Sequence, residues 1–120
     1  ISFHGMADDV VAYDREHGRG AKYGGMPSAI DSAAAFAKHN ACAAEPIRTE
    51  LHKGKVLLDT WVDGTSATRV ELYSLKGWKH GWPSGRAKVS ATDLIWKFFE
   101  DHARAPAGKQ GAKAKRKKAR

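Results

Sequence analysis

The sequence has a single cysteine, Cys42, so no disulfide can form within it and no all-cysteine metal site is available. It has no apolar run near the roughly 18 residues that a helix needs to cross a bilayer. Neither an initiator methionine nor a positively charged leader stands before Ile1-Ser2-Phe3-His4-Gly5, which already reads as a strand; the expectation is a chain truncated at its start. Acids are missing from one end. From Arg104 to Arg120 there are eight Lys or Arg and no Asp or Glu, which leaves thirteen bases against thirteen acids in residues 1–103. The net charge of +8 therefore belongs to the tail, and the remainder is formally neutral.

What is present divides into residues 1–103, with enough apolar residues for one small domain, and a basic tail, residues 104–120. The tail is Ala, Gly, Lys and Arg with one Pro and one Gln, and has no large apolar side chains. It cannot bury enough surface to offset its ordering entropy and is expected to be disordered. Its run from Lys113 to Arg120 suits weak, salt-sensitive binding to anionic surfaces; no obligatory nucleic-acid partner follows from it.

Residues 1–4 running into Gly5 match the end of a buried strand. Residues 5–27, with five glycines and no periodicity, match a long irregular loop. Ser28 is placed to cap a helix whose Ile30, Ala33, Ala34, Ala37 and Ala41 share one stripe, with Asp31 in its first turn. Lys55 to Val62 alternates as a half-buried strand does. Asp63-Gly64 turns the chain, and Arg69 to Leu75 gives another strand, either the second arm of an antiparallel hairpin or a further strand of a central sheet. A glycine-rich loop, residues 76–89, precedes a second helix. Ser90 or Thr92 caps it, and Ala91, Leu94, Ile95, Phe98 and Phe99 form its apolar stripe. This order of elements predicts an α/β sheet with functional groups in the loops after strand ends. Three strands and two helices would leave an edge and part of the sheet uncovered, which again points to a chain lacking its beginning.

Two loops hold the residues suited to chemistry. The first is His4-Gly5-Met6-Ala7-Asp8-Asp9-Val10-Val11-Ala12-Tyr13, and the second is Gly77-Trp78-Lys79-His80-Gly81-Trp82-Pro83-Ser84-Gly85. An acid that orients an imidazole needs a rigid support, which a tight turn after a strand gives Asp8. The imidazole needs reach and an open backbone around it, which the glycines give His80.

These loops resemble the acid and histidine loops of the polyhydroxybutyrate depolymerase and feruloyl esterase family, a branch of the α/β-hydrolases. The resemblance runs through residues 1–103: an H-G-x-x-D-x-x-V-x-Y acid loop, a Gly-Gly pair, a helix ending near Asn-x-Cys, the strand Val70-Glu71-Leu72-Tyr73, a Gly-x-x-His-x-Trp-Pro loop and a closing Ile-Trp-x-Phe-Phe helix. It implies the C-terminal portion of an α/β-hydrolase fold, with a mostly parallel sheet and helices on both faces. The implied activity is carboxylic-ester hydrolysis of aryl esters or hydroxyalkanoate polyesters by a Ser-Asp-His triad, in a secreted or periplasmic protein, without cofactor or metal. The order of acid before histidine fits such triads. Asp8 is then the catalytic acid and His80 the catalytic base. The G-x-S-x-G nucleophile elbow is absent from the chain, and Ser84 stands in the wrong position to replace it. The serine is therefore expected upstream of Ile1, with this segment inactive by itself.

Several residues depart from the family pattern. Asp9 stands where proline is common and rivals Asp8, Ala12 replaces a proline, Lys79 replaces a glycine, and no second cysteine is present to pair with Cys42. Trp82 has two readings, a wall of the acyl or alcohol pocket and ordinary packing. Trp78, Trp96, Phe98 and Phe99 read as core, and His4 as a structural hydrogen-bonding residue. His39 and Cys42 have a ligand-like spacing but too few partners for a metal site. Two other functions stay open: a serine peptidase on the same fold, and a non-catalytic basic binding protein with a degenerate hydrolase fold.

Overall fold

The computed structural model describes residues 1–14 and 27–104. The expected disorder of the tail falls almost wholly on residues outside this range, as does much of the long loop. Among these residues four strands and two α-helices follow in order, β1 (Ser2–Gly5), α1 (Ala29–His39), β2 (Ile47–Leu51), β3 (Val56–Trp61), β4 (Val70–Leu75) and α2 (Ala91–Asp101), with a 3₁₀ turn at Thr65–Ala67 before β4. The strands form one mixed sheet in the order β1-β4-β3-β2.

Connection length decides strand direction. Residues 52–55 and 62–69 are too few for the crossover of a dozen or more residues that parallel neighbours need, so β2–β3 and β3–β4 pair antiparallel. β1 and β4 are separated by most of the chain and pair parallel, Gly5 lying opposite Leu75. The expectation of a mostly parallel sheet is thereby corrected, since one pairing of three is parallel among the described residues. The strand Ile47–Leu51 is an addition to the sequence-based reading.

Alternation along the strands sends successive side chains to opposite faces. On one face Trp61, Val70 and Leu72 meet Ala33 and Ala37 of α1, whose missing side-chain bulk lets the helix lie close. On the other, Val56, Tyr73 and Leu75 meet Phe3, Leu58, Trp78 and, from α2, Leu94. Phe3 stacks on Tyr73 with ring centroids 4.9 Å apart. α1 therefore lies along one face, and α2 touches the other through Leu94. Full burial of Leu72 and Val56 stabilises the fold by about 1.5–3 kcal/mol each.

Both helices start as their sequences dictate. The Ser28 hydroxyl accepts from the Asp31 amide and the Ser90 hydroxyl from the Asp93 amide, so Ser90 and not Thr92 is the second cap. The first helix stops earlier than its apolar stripe, because Ala41 adopts a left-handed conformation (φ 56°). The Cys42 amide then donates to the Ala37 carbonyl and the Ala41 amide to the Lys38 carbonyl, closing the helix end in a Schellman turn. The aromatic core reading holds in part. Trp78 and Phe98 are half-buried, whereas Trp96 is 65% and Phe99 57% exposed. Helix α2 is fully buried only at Ala91 and packs on the sheet cluster through Leu94, so the two exposed rings turn toward solvent.

Candidate active site

Parallel pairing of β1 with β4 brings the carboxyl ends of two strands side by side, and each runs into one of the two chemically promising loops. The loops are then tied together. The Met6 amide donates to the Leu75 carbonyl at 2.9 Å and the Ala7 amide to the Trp78 carbonyl at 3.1 Å. Glycine is needed where they touch: a Cβ on Gly5 would overlap the carbonyl oxygens of Trp78 and Lys79. The Trp78 indole donates to the Gly81 carbonyl at 3.0 Å, bending the second loop around His80.

Asp8 and His80 meet across this junction. Asp8 Oδ2 lies 3.0 Å from His80 Nδ1, although 72 residues separate them in the chain. The other carboxylate oxygen, Oδ1, accepts from the Val10 amide at 2.8 Å and the Val11 amide at 2.9 Å, an Asx-type turn that fixes the carboxylate plane. Asp8 is 6% exposed, while the His80 side chain is 55% exposed. The acid is held inside and the imidazole is presented. Asp9 is exposed, and the contact to His80 comes from its neighbour.

Burial pushes the Asp8 carboxyl toward a higher pKa. Hydrogen bonds from the Val11 amide, His80 and the Val10 amide, together with the electrostatic effect of the nearby His4 ring, outweigh burial and hold the group below the usual carboxylate range. Asp8 is thus an anion at neutral pH. An ionised carboxylate only accepts, so the neutral His80 ring carries its proton on Nδ1 and keeps a lone pair on Nε2. That is the protonation pattern of a general base.

His4 is part of the same group, a placement that the sequence reading did not foresee. Its Nε2 lies 3.0 Å from the Val11 carbonyl and 3.3 Å from Asp8 Oδ2. Further along the acid loop the Tyr13 hydroxyl donates to the Ser74 hydroxyl at 2.8 Å in the protein interior. The position of His4 on the strand, four residues before Asp8, was the available signal.

A cavity of about 410 Å³ opens over the pair, lined among others by Phe3, Lys79, His80, Trp82 and Ile95. Trp82 is 60% exposed and its indole donates to the Thr92 hydroxyl at 3.2 Å, so it stands as a wall rather than as core. A larger cavity of about 480 Å³ lies on the α1 side of β1, against Phe36 and Leu72. It touches His4 but neither Asp8 nor His80, so the smaller cavity is the candidate site. Among the described residues no three His, Cys, Asp or Glu side chains converge as metal ligands. His39 is exposed, and the Cys42 thiol faces the Thr68 carbonyl at 3.9 Å. No described helix is long and apolar enough to cross a membrane.

Comparison of the chain with protein-family models, with curated proteins and with solved structures returned no match.

Proposed function

We propose that this chain carries the acid and base of a serine carboxylic-ester hydrolase of the α/β-hydrolase type. The observation that carries the reading is the 3.0 Å contact between Asp8 and His80, formed at the ends of two adjacent parallel strands with Nε2 left for a nucleophile. The resemblance of both loops to those of polyhydroxybutyrate depolymerases and feruloyl esterases supplies the substrate class, aryl esters or hydroxyalkanoate polyesters. The exposed Trp82 beside His80 suits either one. The same resemblance is the basis for proposing an exported protein.

In the proposed reaction His80 Nε2 takes the proton of a serine hydroxyl as its oxygen attacks the ester carbonyl. The tetrahedral adduct then expels the alkoxide, which leaves as alcohol with the Nε2 proton. Water repeats the sequence on the acyl-serine, releasing the acid and restoring the serine. Throughout, Asp8 keeps the Nδ1 proton in place and stabilises the imidazolium that forms in each half. The chain has no G-x-S-x-G segment, so the serine is proposed to come from a part of the protein outside these 120 residues.

The test begins with the reading frame upstream of Ile1, where a G-x-S-x-G between a strand and a helix is expected. The full-length product should hydrolyse p-nitrophenyl butyrate or methyl ferulate, and Asp8→Asn should lower kcat by roughly 10⁴. Ester turnover unchanged by His80→Ala would refute the reading. Turnover of amides in preference to esters would favour the peptidase alternative.

A further inference from the structure

The carboxylate of Asp8 has more donors than a two-member acid–imidazole pair requires. Two backbone amides occupy Oδ1, and two imidazoles approach Oδ2, from His80 Nδ1 at 3.0 Å and His4 Nε2 at 3.3 Å. The His80 approach is a hydrogen bond, whereas the His4 approach is a charge-pair contact whose ring nitrogen hydrogen-bonds elsewhere. His4 differs from His80 in its support. It sits within β1, paired with Ser74 of β4, and its ring is only 15% exposed and lies near the Tyr13 ring. The same Nε2 faces the Val11 carbonyl at 3.0 Å, at the far end of the turn whose amides bind Oδ1.

We infer that His4 is a positioning residue for the acid. Its single Nε2–H bonds the Val11 carbonyl and clips the turn of residues 8–11 to the rigid strand, while the ring edge lies against Asp8 Oδ2 and leaves that oxygen the direction that points at His80. The inference rests on reading Asp8 and His80 as an acid–base pair. Its chemistry fixes the proton: both atoms facing Nε2 are acceptors, so His4 must be protonated there when neutral. His80 must be protonated on Nδ1. Two histidines on one carboxylate oxygen therefore hold opposite tautomers, a signature that packing alone does not impose.

The full-length protein can be tested directly by nitrogen-15 imidazole spectra and by titration of the Asp8 side-chain carbon. In the parent, His4 should show its proton on Nε2 and His80 on Nδ1. His4→Phe keeps a ring against Tyr13 but removes the donor. It should raise the Asp8 titration midpoint and abolish the slowly exchanging His80 Nδ1–H signal. His4→Gln places an amide N–H near the former Nε2 and should restore both. A parent His4 protonated on Nδ1 overturns the inference even if His4→Phe fails to fold. So does a folded His4→Phe with unchanged Asp8 titration and His80 signal, or a His4→Gln that behaves like His4→Phe. Failure of the pair itself looks different: His80 would exchange tautomers freely in the parent, while the Asp8 midpoint would still report whether His4 grips the acid.

Discussion

The substitution Gly5→Ala tests whether the closeness of the two loops assembles the site. A Cβ at this position would overlap the carbonyl oxygens of Trp78 and Lys79, which are backbone atoms and cannot swing aside as the end of a flexible side chain does. Relief requires the acid loop and the histidine loop to separate. Overpacking of this kind costs about 1–3 kcal/mol. Separation also strains the Ala7 amide to Trp78 carbonyl hydrogen bond, itself worth about 1 kcal/mol. Against a total stability of roughly 5–15 kcal/mol for a domain, the loss is a large fraction. It should lower the urea midpoint by about 1–2 M, given the usual dependence on denaturant. The same separation should lengthen the Asp8 to His80 contact, so the low-field His80 Nδ1–H resonance should weaken or vanish in a chain that still folds. A Gly5→Ala protein with a midpoint within about 0.3 M of the parent and an unaltered resonance would refute the reasoning.

Three other substitutions follow from the same geometry. Asp8→Asn should destabilise the chain at neutral pH. Because the folded-state pKa of Asp8 is depressed, its contribution is fully present above the ordinary carboxylate range, near pH 4, and is lost as pH falls through the folded value. The difference between parent and Asp8→Asn in urea unfolding should therefore shrink on acidification below about pH 5; a constant or growing difference contradicts the charge argument. Tyr13→Phe removes the donor to the buried Ser74 hydroxyl and should cost about 1–3 kcal/mol in thermal or urea unfolding; a cost below about 0.5 kcal/mol would mean the Ser74 oxygen finds another donor. Ala41→Gly should stabilise by about 0.5–1 kcal/mol, since a left-handed residue closes α1 and glycine adopts that conformation without strain; a loss of stability would show that the Ala41 methyl packs usefully.

The legible parts of this fold were those with local chemistry. Ser28 and Ser90 cap helices because a hydroxyl before an amide-rich first turn has few better roles, and both starts match the expectation. β2 was overlooked for a physical reason. It is an edge strand with Ile47, Arg48, Thr49 and Glu50 all exposed, so it lacks the apolar content that marks a strand. Its period of two was nonetheless present in Ile47, Thr49 and Leu51. Arg48, on the opposite face, holds the buried Asp59 through two hydrogen bonds of 2.8 and 2.9 Å. The turn into β3 is marked only by Gly54 (φ 78°), while His52 and Lys53 before it also take positive φ, which their residue types do not announce. The exposure of Trp96 and Phe99 was illegible because helical spacing shows which residues share a face, and only the neighbouring layer decides how much of that face is covered.

At the candidate site, spacing alone left Asp8 and Asp9 as rivals, and the backbone separates them. The Asx turn that accepts the Val10 and Val11 amides can form only around the residue at the turn's start, so Asp8 is drawn inward and Asp9 outward. That turn is anchored twice at its far end. On one side His4 holds the Val11 carbonyl to β1. On the other, the Ala29 and Ile30 amides at the start of α1 donate to the Ala12 and Tyr13 carbonyls, and Tyr13 reaches Ser74 in β4. The acid is thus braced against a strand, a helix terminus and the neighbouring strand. The imidazole hangs from a loop held to the sheet chiefly near Trp78. A proton carrier has to move between a nucleophile and a leaving group, whereas the group that orients it must not move at all. The unequal bracing of Asp8 and His80 is the division that the proposed reaction asks for, a fixed carboxylate that holds the Nδ1 proton and an imidazole free to carry another on Nε2.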